Sequence, residues 1–346
     1  MLDNFNNIKS IDSNNFFNSI KSFPYQIEEV FKTKAAILKN KDSLQHSYEN
    51  ILFCGMGGSA IAGDLLKSML IEHMEIPIVI NRDYSVPNWL NKSTLVILSS
   101  YSGNTEEVLS CYSECINRKN NPIIISSNGE LLKNAKKRGD SYALIPKGLM
   151  PRAALGYSIS ILFKILNDSN IVNLNQINDL KKTTVSLKKD SDLYSKIDSN
   201  NKAILLAQKI YNAFNLIYTS NNMEVVGMRF RAQLAENAKM LSSHFVFPEQ
   251  NHNEIEGFVN TYTNKLNILW IYDECNHSKI LKRMEITSSI LGGKVENHIV
   301  KSKGKTFINR ELRLIYFLDW VSFYCAILNN VNPYPVDNIS KLKSLL

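Results

Sequence analysis

The sequence lacks the signals that mark several large protein classes. Its five cysteines, Cys54, Cys111, Cys115, Cys275 and Cys325, form no Cys-x-x-Cys pair, and no Cys/His cluster has zinc-site spacing. Cysteine-based metal binding is therefore not expected, and buried free thiols are. No apolar run approaches the ~18 residues that a membrane-spanning helix needs. The opening residues, MLDNFNNIKSIDSNNFF, have neither the basic start nor the apolar stretch of a signal peptide, so a cytoplasmic protein is expected. No basic arm, finger motif or aromatic–basic interleaving accompanies the net charge of +8; pairs such as Lys136-Lys137, Lys181-Lys182 and Lys188-Lys189 are scattered. Nucleic acid and membrane are thus not expected partners. A mildly positive field does suit a small anionic substrate.

What is present is globular. Hydrophobic residues make up 44% of the 346 positions and charged residues 21%, and this length suits two domains that each bury a core. Residues 16–44 carry apolar positions at three- and four-residue spacing and read as helical. Strand and helix patterns then alternate. Strands are expected at 50–54, 76–80, 94–99, 122–126 and 142–145, and helices at 59–72, at 106–118 and from Pro151. Residues 167–200 are rich in Asn, Asp, Ser and Lys and read as a partly helical connector. The alternation resumes with strands at 215–219, 244–247, 266–272 and 294–300 and helices at 224–241, 278–291 and 310–328. The expected organisation is an N-terminal helical segment (1–45), a first α/β domain (46–166), the connector (167–200) and a second α/β domain with a C-terminal tail (201–346).

Two turns carry chemistry. Gly55-Met56-Gly57-Gly58-Ser59-Ala60 follows the first strand, and Gly55, Gly57 and Ala60 fit the dinucleotide pattern G-x-G-x-x-G/A. An NADP-dependent oxidoreductase is therefore one reading. A tight strand-to-helix turn is the plainer one, and the Asn81-Arg82-Asp83 end of the second strand does not separate them. After the third strand, Ser100-Tyr101-Ser102-Gly103-Asn104-Thr105-Glu106-Glu107 places three hydroxyls around a glycine where a helix begins. One hydroxyl suffices for a helix cap. Three beside unpaired amide donors make a seat for a phosphate monoester.

The second motif resembles the phosphate loop of sugar isomerase (SIS) domains. Gly55 to Asp64 (GMGGSAIAGD) resembles the first loop of one branch, the bifunctional phosphoglucose/phosphomannose isomerases. The resemblance implies two three-layer sandwich SIS domains, each a parallel sheet flanked by helices, in a homodimer with no metal and no redox cofactor. It implies a sugar-phosphate substrate held between the domains, with Gly58 and Ser59 beside it and Ser100, Ser102 and Thr105 on its phosphate.

The remaining motifs fit proton transfer between C1 and C2, which needs a base, a ring-opening group and a cation for the enediolate. Arg152, in Pro-Arg-Ala-Ala-Leu, stands in the first turn of an expected helix, where a cation is unfavourable unless an anion binds there. Alone it reads as a solvent-reaching arginine; the resemblance assigns it to the enediolate. Glu236, in Leu-Ala-Glu-Asn-Ala-Lys, reads alone as a surface helix glutamate, and the resemblance makes it the base. His252, in Asn-His-Asn-Glu, is otherwise a polar loop residue; in relatives the matching histidine opens the ring across a dimer interface. The C-terminal Pro-Tyr-Pro-Val and Ile-Ser-Lys-Leu-Lys again resemble the family; the resemblance implies a ring-opening or substrate-contacting lysine at Lys343, with Lys341 as a neighbour, and a smaller residue where Tyr334 stands. A non-catalytic phosphosugar-binding SIS protein is the further alternative, one that would not need Glu236 or His252.

Overall fold

The computed structural model describes residues 8–33, 38–39, 47–259 and 265–345. These form two units, residues 22–185 and residues 1–21 with 186–346. Two short helices, α1 (Ile8–Ile11) and α2 (Phe16–Lys21), open the chain.

The unit of residues 22–185 holds α3 (Phe23–Lys32), β1 (Asn50–Gly55), α4 (Gly57–Leu70), β2 (Ile78–Asn81), β3 (Thr94–Ser99) and α5 (Glu106–Asn117). There follow β4 (Ile123–Ser126), α6 (Gly129–Arg138), β5 (Ser141–Leu144), α7 (Leu155–Asp168) and α8 (Leu174–Tyr194), which runs on into the second unit. The strands form one five-stranded parallel sheet in the order β2-β1-β3-β4-β5. Helices cover both faces of such a sheet, so its central strands are apolar throughout rather than alternating; every residue of β3 and β4 is buried. One face packs Leu52, Val96, Leu98 and Ile124 against Val108, Tyr112 and Cys115 of α5 and Leu131 of α6.

The other unit continues with α9 (Lys202–Ile210), β6 (Phe214–Ser220), α10 (Glu224–Ala238), β7 (Ser242–Phe247), β8 (Leu266–Tyr272), α11 (Ser278–Leu291), β9 (Glu296–Lys301), α12 (Phe307–Leu328) and α13 (Asp337–Leu345). Its four-stranded parallel sheet has the order β7-β6-β8-β9. The core joins Tyr218, Phe247 and Trp270, whose rings meet at 5.1–5.9 Å. Helix α12 is buried along nearly its whole length, including Trp320, Phe323 and Tyr324.

Several expected boundaries shift. Residues 16–44 are not one helix: α2 and α3 are separate, Lys39 bridges Tyr142, and residues 34–37 and 40–46 lie outside the described residues. Pro151 opens a 3-10 turn, Pro151–Ala153, and the α-helix starts at Leu155. Much of the connector is α8, a mostly polar helix of 21 residues. Helix α6 has only a short apolar stripe to signal it, since only Leu131, Leu132 and Ala135 of its ten residues are buried. Helix α9 is a further element, masked in the sequence because its cap, Asn201, closes an Asn/Asp-rich stretch; the Asn201 side chain accepts from Ala203 and Ile204 N–H. Of the cysteines, Cys275 is exposed and the other four are buried, all free.

Candidate active site

In an open parallel sheet, ligands bind beyond the carboxyl ends of the strands where the strand order reverses. In the first sheet that point lies between β1 and β3, so the Gly55–Ser59 turn and the Ser100–Thr105 loop border one crevice. The two loops are tied together: Ser59 Oγ accepts the Tyr101 N–H at 3.2 Å. Gly58 allows a third segment to join them. A Cβ on Gly58 would stand 2.9 Å from the Arg152 backbone nitrogen, so only glycine lets the first turn touch the 3-10 turn that carries Arg152. Gly58, Ser59, Ser100, Ser102, Thr105 and Arg152 therefore gather at one end of one sheet.

The hydroxyl loop is held by its own hydrogen bonds. Ser100 Oγ and Thr105 Oγ1 are 2.8 Å apart, and Ser100 Oγ also accepts the Gly103 N–H at 3.0 Å. Two hydroxyls sharing one bond use one proton between them, and the other O–H can donate outward. Ser102 Oγ accepts the Asn104 N–H at 3.2 Å and keeps its own O–H to donate. Gly103 has φ +70°, and a Cβ there would fall 1.8 Å from the Asn128 carbonyl oxygen. Asn104 Oδ1 in turn accepts the Glu130 N–H at 2.9 Å, docking the loop on the start of α6.

Arg152 is 3% exposed. It does not sit at the dipole end of a helix as expected, because the turn around it is 3-10 and α7 begins three residues later. What holds that turn is a residue that sequence reasoning missed. Gln26 of α3 donates to the Ala153 carbonyl at 2.7 Å and accepts the Gly156 N–H at 3.1 Å. Its signal was a glutamine on the apolar stripe of α3, between Phe23, Ile27 and Val30.

The end of β2 bears on the dinucleotide reading. Asn81 Nδ2 is engaged by the Ser85 carbonyl, and Arg82 pairs with Asp64. The Asp83 carboxylate accepts its neighbour's N–H, from Tyr84, at 2.6 Å.

Glu236, His252 and Lys343 all belong to the other unit, on three separate elements. Glu236 is half-buried in the last turn of α10. Helix α10 is locked to α12: Arg229 donates to both Asp319 oxygens at 3.0 and 2.7 Å, Gln233 to Asp319 at 3.1 Å, and Asn237 to Ser322 at 2.9 Å. These contacts fix the helix that carries Glu236. Lys239 closes the helix at φ +57°, and its ammonium donates to the Glu236 carbonyl at 2.5 Å and the Pro335 carbonyl at 2.6 Å. That side chain joins the Glu236 turn to the segment leading into α13.

His252 is exposed in the 3-10 turn Glu249–His252 after β7. Asn251 anchors this turn by donating to Thr287 of α11 at 2.8 Å, while Gln250 is buried. Beyond it, Glu254 accepts from the Tyr218 hydroxyl at 2.7 Å, and burial raises its carboxyl above the usual range. Lys343 and Lys341 are both exposed on α13; two residues apart on a helix, they point to different sides. Tyr334 packs edge-on against Phe16, with ring centroids 6.4 Å apart, which explains its bulk.

The second sheet has its own switch point, between β6 and β8. There the crevice is filled by protein. Asp273, 1% exposed just past β8, accepts from Arg310 Nε at 2.7 Å, Arg310 Nη2 at 3.2 Å, Ser302 Oγ at 2.9 Å and Asn222 Nδ2 at 3.0 Å. A carboxylate thus holds the place that hydroxyls border in the first sheet.

A bifunctional phosphoglucose/phosphomannose isomerase from Caldicellulosiruptor bescii is 34% identical over 339 residues, spanning 95% of this chain and 98% of its own. The chain belongs to the bifunctional phosphoglucose/phosphomannose isomerase family. A second member, from Aquifex aeolicus, is 34% identical over 303 residues, 86% of this chain and 91% of its own. The family model described as the bacterial phospho-glucose isomerase C-terminal SIS domain matches residues 199–346. Among solved structures, the C-terminal domain of glucosamine-fructose-6-phosphate aminotransferase from Francisella tularensis superposes with a TM-score of 0.71 at 13% identity, covering 92% of this chain and 97% of its own. The fold is that of SIS proteins, α/β with two parallel sheets flanked by helices, as expected for this isomerase family.

Proposed function

We propose that the chain interconverts glucose 6-phosphate and mannose 6-phosphate with fructose 6-phosphate, through a cis-enediol and without metal or redox cofactor. The observation that carries this reading is membership of the isomerase family along almost the whole chain. The hydroxyl-lined crevice of the first sheet supports it by offering a seat for a phosphate monoester.

In this reading Ser100, Ser102 and Thr105 hold the phosphate with neutral donors, and Gly58 and Ser59 let the sugar approach the backbone. The Arg152 guanidinium steadies the negative charge that develops on the C1 and C2 oxygens, where a fixed cation has its largest effect. Glu236 carries the proton between C1 and C2. His252, supplied by the partner protomer of a homodimer, opens the ring together with Lys343. Its exposure on a surface turn is compatible with a role across an interface. Both C2 epimers are accepted if the open chain rotates about C2–C3 above one base. A cytoplasmic location accords with the metabolic family, and among the described residues no helix is long and apolar enough to cross a membrane.

The test is formation of fructose 6-phosphate from each aldose after exhaustive chelation. Turnover of both is expected. Turnover of neither, with sugar phosphate still bound, would leave a binding protein. Absorbance change with NADP would restore the oxidoreductase reading.

A further inference from the structure

A cavity of about 760 Å³ lies within the unit of residues 186–346, between the end of α8, α9, the edge strand β9 and α12. Of the groups around Asp273, only Ser302 lines it. Its volume falls in the range of sites for drug-sized ligands. Its wall is apolar and open to solvent: Leu193, Leu205 and Ile299 are 58%, 42% and 57% exposed, and Phe317 and Tyr194 stand behind them. Large apolar side chains left in water around one concavity mark a surface that something covers.

The rim is strongly basic. Lys196, Lys202, Lys209, Lys301 and Lys303 line the cavity together with Arg313, against only two carboxylates, Asp190 and Asp198. Asp190 is already committed to Arg313, at 2.6 and 2.9 Å. Asp198 accepts the Asn200 N–H at 2.8 Å. Among the described residues, none of the five lysines has a carboxylate within ion-pair distance of its ammonium. The cavity therefore combines an apolar and aromatic wall with an excess of four positive charges.

That excess decides between occupants. A second copy of this chain docked two-fold on the same face would set these lysines against their own counterparts, which repel. Lysine on an edge strand such as β9 also opposes strand-to-strand pairing. A neutral apolar ligand would leave the lysines unused. A ligand with a flat ring and a cluster of phosphates satisfies both halves of the wall. We infer that this cavity is a binding site for a nucleoside phosphate, its base on the Leu205–Ile299–Phe317 wall and its phosphates among Lys196, Lys202 and Lys301.

The test is calorimetric titration of the full-length protein with ATP, in the absence of magnesium, at 50 and 200 mM salt. Expected are saturable binding that weakens with salt and a loss of at least tenfold in affinity for Lys202→Glu combined with Lys301→Glu. Both residues are exposed, so the fold should survive, and a retained melting temperature checks that. Lys136→Glu with Lys137→Glu, on α6 of the other unit, should bind ATP like the wild type. Inorganic triphosphate should bind at least tenfold more weakly than ATP, because it cannot use the apolar wall. Equal loss in both double variants would reduce the effect to general charge attraction and overturn the proposal. So would triphosphate binding as tightly as ATP, an absence of ATP binding at millimolar concentration, or a change in oligomeric mass on Lys202→Glu with Lys301→Glu, which would make the face an interface between copies.

Discussion

The two sheets share a strand pattern, 2-1-3-4 in each unit's own numbering, yet their switch-point crevices have opposite chemistry. Beyond β1 and β3, the chain presents hydroxyls, a glycine turn and a buried arginine. Beyond β6 and β8, Asp273 and Arg310 occupy the corresponding place with a fully bonded ion pair. The same topology thus carries a hydroxyl-lined crevice, proposed as an anion seat, in one unit and supplies its own anion in the other. A duplicated fold need not duplicate its site: in the proposed reaction Ser100, Ser102 and Thr105 at the first crevice hold the phosphate, whereas Glu236, His252 and Lys343 lie on elements outside the second crevice.

This contrast can be broken at several points. The largest effect is expected on the proton-transfer side. Glu236→Gln keeps size and most hydrogen bonds but cannot carry a proton, so kcat should fall by about 10²–10⁴-fold or more, with KM little changed. A near wild-type kcat in steady-state assays would return Glu236 to an ordinary half-buried helix residue.

The closed crevice comes next. Asp273→Asn leaves the Arg310 guanidinium buried beside a neutral amide, and uncompensated buried charges typically cost about 3–5 kcal/mol. Denaturant unfolding should show most of that loss. A crystal of the wild type soaked in phosphate should carry the anion against Ser100–Thr105 and none beside Asp273. An anion between Asp273 and Arg310, or a variant as stable as the wild type, would erase the distinction between the crevices.

The smallest effect belongs to the open crevice. Thr105→Ala removes one neutral hydrogen bond, worth about 1 kcal/mol, so KM for the sugar phosphate should rise roughly fivefold with kcat nearly kept. A kcat loss comparable to that of Glu236→Gln would mean that the loop does more than hold phosphate.

Much of this was legible in the sequence. Buried parallel strands announce themselves as apolar runs, so residues 94–99 and 266–272 match β3 and β8 end to end. Motif loops were legible because glycine and hydroxyl residues are demanded locally: Gly103 is the residue that clears Asn128, and Gly58 the residue that clears Arg152. Contacts between distant segments were not legible. Nothing near Gln26 in the sequence predicts that it holds a turn more than 120 residues away. The Asp273–Arg310 pair spans 37 positions, and each partner alone reads as a surface charge. His244 is a similar case. It is half-buried on β7 against Thr219, 2.8 Å from its hydroxyl, and loss of solvent with the nearby Arg231 charge lowers its pKa to about 4. A histidine in an alternating strand pattern gives no sign of which face it takes until the sheet is assembled.

The central claim is that a carboxylate moves a proton through an enediol. It is tested most directly by running the reaction in deuterated water and following label at C1 and C2 by NMR. The wild type should incorporate solvent deuterium at the carbon that receives the proton, from either aldose. Glu236→Gln, with its melting temperature retained, should lose incorporation in parallel with turnover. Product formed with its protium fully conserved, or deuterium entering at the wild-type rate in Glu236→Gln, would contradict the account.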